Sequence, residues 1–221
     1  MSQTYGKTSW KRFAVVMVPT VAATAAVGIS MAQGALAASF AVSGVHATIS
    51  AKDLTGSGFN QYGSVDGVMD PTTGKPVNTP VAVSGFTTAH ITNLCQSVVV
   101  PLPFTLPGGE KSVTMTITGG DNGKTVDASN IILDMDDLKA DSATFGNIQI
   151  GRAAGTIDQG PVDPAAKALP GFGASFAQQA QTAALHNVLQ SSYATSADTF
   201  TLTNMHLGLS AGSKPCTQPH D

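Results

Sequence analysis

Apolar and polar residues alternate along most of the chain beyond residue 38, and a period of two places apolar side chains on one face of a strand. Phe40-Ala-Val-Ser-Gly and Val45-His-Ala-Thr-Ile-Ser begin the pattern. Val81-Ala-Val-Ser-Gly-Phe and Thr88-Ala-His-Ile-Thr-Asn-Leu continue it, followed by Ser112-Val-Thr-Met-Thr-Ile-Thr, Asn130-Ile-Ile-Leu-Asp-Met-Asp and Ala143-Thr-Phe-Gly-Asn-Ile-Gln-Ile. A last strand is expected over Thr199-Phe-Thr-Leu-Thr-Asn-Met-His-Leu-Gly-Leu. Between these runs, Leu54-Thr-Gly-Ser-Gly-Phe-Asn and Asp70-Pro-Thr-Thr-Gly-Lys-Pro read as loops, because Gly and Pro punctuate turns. Gly119-Gly-Asp-Asn-Gly123 carries hairpin-turn chemistry. Ser97-Val-Val-Val-Pro-Leu-Pro-Phe reads as an edge strand or an extended connector, since Pro101 and Pro103 cannot donate to a ladder. The string Ala41-Val-Ser-Gly44 returns as Ala82-Val-Ser-Gly85, too short a match to establish a repeat.

One segment departs from the period of two. Phe172, Phe176, Ala180, Ala184 and Val188 recur four residues apart, with Leu185 and Leu189 beside them. This spacing predicts a long helix from Phe172 to Tyr193, and Pro164-Ala-Ala-Lys-Ala-Leu a short helical turn before it. No Asp, Glu, Lys or Arg occurs between Lys167 and Asp198. A charge-poor helix is either covered by a sheet or laid over an apolar ligand, a membrane surface or a partner. The second reading makes Phe172, Phe176, Leu185, Val188 and Leu189 the candidate ligand-binding residues. The expected fold is mainly β: a twisted antiparallel sheet, sandwich or β-roll, with one long helix in the C-terminal half packed on it.

The first 38 residues read differently. Lys7, Lys11 and Arg12 precede 24 uncharged residues, Phe13 to Leu36, and small residues close the stretch at Gly34-Ala-Leu-Ala-Ala38. This is the pattern of an export signal peptide. The uncharged run is also long enough to span a bilayer as an N-terminal anchor, although Pro19, Thr20, Thr24, Ser30 and Gln33 dilute it. Either way the positive flank stays cytoplasmic, so residues 39–221 are expected to be secreted or anchored on the outer side of the plasma membrane as a single domain. Lys11-Arg12-Phe13 is a poor match to a twin-arginine signal.

Composition narrows the function. Charged residues make up 11% of the 221-residue chain, against about a quarter in typical globular proteins. Residues 39–221 hold eight Lys and Arg against fourteen Asp and Glu, a net charge of −6. With no basic patch, nucleic acid is not an expected partner. Two cysteines, Cys95 and Cys216, lie in the exported part, where a disulfide is the default expectation.

Reactive chemistry is hard to find. Gly208-Leu-Ser-Ala-Gly212 has the Gly-x-Ser-x-Gly spacing of an esterase elbow, but only nine residues follow it and no βαβ repeat supports it. Gly173-Ala-Ser-Phe-Ala177 is a looser variant that offers Ser175. His46, His90, His186, His206 and His220 lack metal-site spacing, so no metal or cofactor is expected. Asp134-Met-Asp-Asp137 with Asp141 and Asp121 reads as a solvated acidic face rather than a calcium loop. No aromatic platform for sugars is visible beyond the leader, and the single Trp is Trp10.

The leader running into Ala38-Ser-Phe-Ala-Val-Ser-Gly44, the pair Cys95 and Cys216, and Phe200-Thr-Leu-Thr-Asn-Met-His-Leu together resemble a family of exported actinobacterial proteins of unknown function. Members often carry a "cholesterol esterase" label. The resemblance implies contact with sterols or lipids and transfers no catalytic residue. The leading expectation is an exported, non-catalytic envelope protein that binds an apolar, lipid-like or sterol-like ligand, or a membrane surface or envelope partner. A self-assembling surface protein and a lipid-ester hydrolase are the alternatives.

Overall fold

A computed structural model describes residues 43–219. The expected leader, Trp10, the expected strand start at Phe40, His220 and Asp221 lie outside the described residues. The described residues contain β1 (Ala47–Met69), β2 (Pro76–Thr92), β3 (Leu94–Pro101), β4 (Ser112–Gly119), β5 (Val126–Lys139), β6 (Ser142–Gly146), β7 (Gln149–Ala153), a short helix α1 (Pro164–Lys167), β8 (Phe176–Ser196), β9 (Thr199–Leu202) and β10 (His206–Ala211). Every pairing among them is antiparallel.

The registers join these strands into four long ribbons. β2 and β3 run along β1 in one register, from Met69 opposite Pro76 to Ala47 opposite Val98. They are separated by Asn93, whose φ of 47° turns the chain. β5, β6 and β7 follow β8 in turn, from Ile132 opposite Ser196 to Ala153 opposite Phe176, with register shifts near Met135 and between Ile150 and Arg152. Asn147 and Asn187 sit at the interruptions with positive φ, a region Asn enters more readily than other side chains. Each ties its amide across the break, Asn147 to Gln181 at 2.7 Å and Asn187 to Asp141 at 2.8 Å.

The ribbons close on themselves. β1 pairs β2, β2 pairs β5, β5 pairs β8, and β8 returns to β1 over Ala47–Ala51. From Ala47 the ladder passes Ser192, Met135 and Ala82 and reaches β1 again at Gly63. Closing a barrel requires such a stagger, and with four ribbons it leaves a narrow interior. That interior is filled by Ile49, Leu54, Phe59, Phe86, Ile131, Leu133 and their neighbours.

Residues 154–175 fold over the outside of the β1–β2–β5 wall. Asp163 caps α1 by accepting from the Ala165 N–H at 2.9 Å, and Pro164 occupies the first turn. Phe172 meets Tyr62 edge-on at 5.3 Å, with Val81, Val83 and Ala177 around them. The Asn60 amide donates to the carbonyls of Gln159 at 2.7 Å and Pro161 at 2.8 Å, which holds the cover close. A Cβ at Gly85 would stand 2.5 Å from the Pro161 oxygen, so only glycine admits this approach.

Cys95 and Cys216 form a disulfide. It pins a tail that runs across β3 and β4: the Cys216 N–H donates to Ser97 Oγ at 2.8 Å and the Lys214 N–H to Thr114 Oγ1 at 2.9 Å. Gln218 then reaches Asp141 Oδ1 at 3.0 Å and the Asn187 carbonyl at 2.9 Å.

Several expectations need correction. The segment expected as a long helix over Phe172–Tyr193 is a 3₁₀ turn at Phe172–Ala174 followed by the 21-residue strand β8. Its Ala-, Gln- and Leu-rich composition favours a helix locally, but β1 lies along one edge and β5, β6 and β7 along the other, so the ladder wins. The short turn at Pro164 does form, as α1. Leu54–Asn60 is strand rather than loop, and Gly58 takes a φ of 60° within it without a change of register to β2. β3 is an interior strand between β1 and β4, tolerated because Pro101 is its last residue. The Gly119–Gly123 turn joins β4 to β5 without pairing them, so it is not a hairpin.

Candidate functional site

The barrel interior is incompletely filled. A cavity of about 210 Å3 lies between β1, β2, β5, β6 and β8. Leu54, Phe59, Phe86, Leu133 and Met135 form its inner wall, and Leu138, Ala143 and Phe145 its outer part. Leu138 and Ala143 are exposed, which places the mouth where β5 gives way to β6. Beyond Leu54, Leu133 and Gln190 a smaller void of about 30 Å3 continues toward Ile49, Leu94 and Val188, room for about one water.

Along the wall between β1 and β8 the ladder gives way to side-chain bonds. β1 and β8 share ladder pairs from Ala47 to Ala51 and none beyond. Past that point side chains bridge the seam. His186 Nδ1 lies 2.8 Å from Asp53 Oδ1, and the Gln178 amide donates to Gln61 Oε1 at 2.6 Å. Gln61 in turn donates to Ser84 Oγ at 3.0 Å, so the polar atoms of Gln61 and Ser84, both on the lining, are engaged with each other. What faces the space is mainly hydrocarbon.

The five sequence candidates separate. Leu185 lines the cavity and Val188 the smaller void. Phe172 is buried in the outer layer against Tyr62. Phe176 is 63% exposed at the head of β8. Leu189 is half-buried opposite Ser50 and Lys139. Sequence reasoning missed Phe59, Phe86, Leu133, Met135 and Phe145, although alternation in β5 marked Leu133 and Met135 as one face.

A buried acidic group lies on the outer wall. The carboxyl of Asp134 is pushed up to about 7, first by burial and then by the charges of Asp66 and Asp163. Burial, then Asp163, also raises Asp66. Burial raises the Tyr62 phenol, whose oxygen accepts from the Asp163 N–H at 2.9 Å. Asp134 Oδ1 and Asp66 Oδ2 are enclosed without a hydrogen-bond partner. Asp134 is therefore not part of a solvated acidic face.

Other candidate chemistry is dispersed. Ser210 lies within β10 opposite Thr114, not on a strand-to-helix turn. The Ser175 hydroxyl donates to the Phe172 carbonyl at 2.7 Å. His90 Nδ1 contacts Asp127 Oδ1 at 2.6 Å on an exposed sheet face, and the hydrogen bond from His90 lowers the Asp127 carboxyl. His46 Nδ1 lies 3.2 Å from Asp136 and 2.9 Å from Ser191 Oγ. Among the described residues no group of three His, Cys, Asp or Glu side chains is placed to hold a metal ion.

Residues 43–217 match the model of a family described as "Family of unknown function (DUF6230)", and the chain belongs to that family. No curated protein and no solved structure matches it.

Proposed function

We propose that this is an exported cell-envelope protein that holds an apolar molecule inside its barrel and catalyses no reaction on it. The apolar cavity of about 210 Å3, opening at Leu138 and Ala143, carries the reading. Its volume is below the roughly 300–1,000 Å3 of sites for drug-sized ligands. It therefore favours a single acyl chain over a rigid four-ring sterol. Gln61 and Ser84 at its wall satisfy one another, so the ligand's head group would stay at the mouth. The leader pattern supports a place outside the plasma membrane. Among the described residues no arrangement of nucleophile, base and oxyanion donors supports the hydrolase alternative.

The test is organic extraction of the purified protein with mass spectrometry of the extract, together with fluorescence titration by cis-parinaric acid. Co-purified acyl lipid and saturable uptake are expected. Ala143→Phe, which fills the mouth, should abolish uptake while leaving the circular dichroism spectrum unchanged. An empty protein that takes up no parinaric acid refutes the proposal.

A further inference from the structure

The inner wall of the barrel does not stop where the barrel stops. β1 begins at Ala47, opposite Val98, while β3, β4 and β10 continue together beyond it. Opposed residues in an antiparallel ladder share a face. The face carrying Ile49 in β1 therefore carries Gln96, Ile117 and Leu207 across β3, β4 and β10, and the row of Ala47 carries Val98, Met115 and Leu209. Ile49 is core, so this face is the barrel interior opened out into a trough. Leu209 is 76% and Leu207 53% exposed. No Asp, Glu, Lys or Arg occurs in β3, β4 or β10. The opposite face of β3 and β4 is crossed by the disulfide and the tail bonded to Ser97 and Thr114, whereas Leu207 and Leu209 on the apolar side stay exposed.

We propose that this trough docks on the outer leaflet of a lipid bilayer. Two observations select the bilayer as occupant. The first is continuity: the apolar row from Leu209 and Met115 runs on through Val98 to Ala47 with no charged side chain on the way, a surface that acyl chains can cover. The second is the chain outside the described residues. The uncharged run Phe13–Leu36 is long enough to span a bilayer. It is joined through residues 37–46 to the head of β1, which lies between β3 and β8. Ten residues reach at most about 33–36 Å, so a retained anchor would hold the trough at the surface it crosses. An edge strand such as β10, with no Lys or Pro, can also pair with a second copy, and the test separates the two.

The proposal extends the function argued above but stands on different residues. The experiment uses the full chain with Trp10→Phe, carrying either Leu209→Trp or Ile150→Trp; Ile150 is 67% exposed on β7, away from the trough. Vesicles of phosphatidylglycerol and phosphatidylethanolamine with brominated acyl chains are added. Emission from position 209 is expected to shift to the blue and lose intensity to bromine, while emission from position 150 does neither. Equal quenching at both positions, or none at 209, overturns the proposal. So does a blue shift at 209 without vesicles that grows with protein concentration alongside a doubled mass in light scattering, which assigns the trough to a second copy. Parinaric acid uptake in the same samples keeps the tests apart. Uptake without quenching at 209 refutes the docking alone, and quenching without uptake refutes the proposed ligand binding alone.

Discussion

Asp134 offers a test of the outer wall that needs no ligand. Its carboxyl titrates at about 7 in the folded protein, against 3.8 for the free group. The folded state therefore keeps a proton that the unfolded chain releases above about pH 4. The stability associated with this group is fully present below that pH and is lost as pH rises through about 7. The difference of about three units corresponds to roughly 4 kcal/mol at alkaline pH. Asp134→Asn keeps the shape and removes the charge. Thermal unfolding of the two proteins from pH 4 to 9 should give nearly equal Tm values at pH 4. At pH 9 the variant should be more stable by roughly 2–4 kcal/mol, after allowing for the amide's own burial. In a domain of this size that is roughly 5–15 °C. Asp66→Asn should reduce the pH slope by a smaller amount, since Asp66 raises the Asp134 carboxyl more than Asp163 does but less than burial does. A Tm difference between wild type and Asp134→Asn that stays constant from pH 4 to 9 would refute the reasoning.

Further outcomes follow from the packing. Joint replacement of Cys95 and Cys216 by Ser opens a loop with a sequence separation of 121 and should cost about 4–5 kcal/mol in urea unfolding. Intact mass of the wild-type protein should fall short of the reduced mass by two hydrogens. Leu185→Ala should enlarge the cavity at a cost of about 2–5 kcal/mol, measured by urea unfolding, with parinaric acid uptake retained. Gly85→Ala drives its Cβ against the Pro161 carbonyl and should cost about 1–3 kcal/mol. Hydrogen exchange should then rise in residues 157–163 and not in β3 or β4.

Alternation along β4 and β5 announced strands before any coordinates, because a sheet with one buried face imposes a period of two on any sequence that builds it. The Asp70–Lys75 turn and the helical turn at Pro164 were legible for equally local reasons. The cavity was less so. Leu185 and Val188 were singled out on the assumption of a helix, and the period of four that joined them to Phe172 and Phe176 joined residues that the fold separates. Phe59 was hidden because Gly56 and Gly58 made Leu54–Asn60 read as a loop, and Phe86 because Val81 and Val83, which alternate just before it, face the outer layer while Phe86 faces the interior. Asp134 looked like its neighbours Asp136 and Asp137, since nothing in the string Asp-Met-Asp-Asp tells which carboxyl lies against the wall covered by residues 154–175.

By itself the sequence determined a β-rich domain with two cysteines and an uncharged run from Phe13 to Leu36, properties set residue by residue through side-chain period and composition. Tertiary structure decided the rest. It made Phe176–Ser196 a strand by giving it ladder partners, and it closed four ribbons into a barrel through the few pairs between β1 and β8, around a cavity that opens at Leu138 and Ala143. Ladder hydrogen bonds join residues distant in the chain, so the state of a segment that local propensity leaves open is chosen by its neighbours in space.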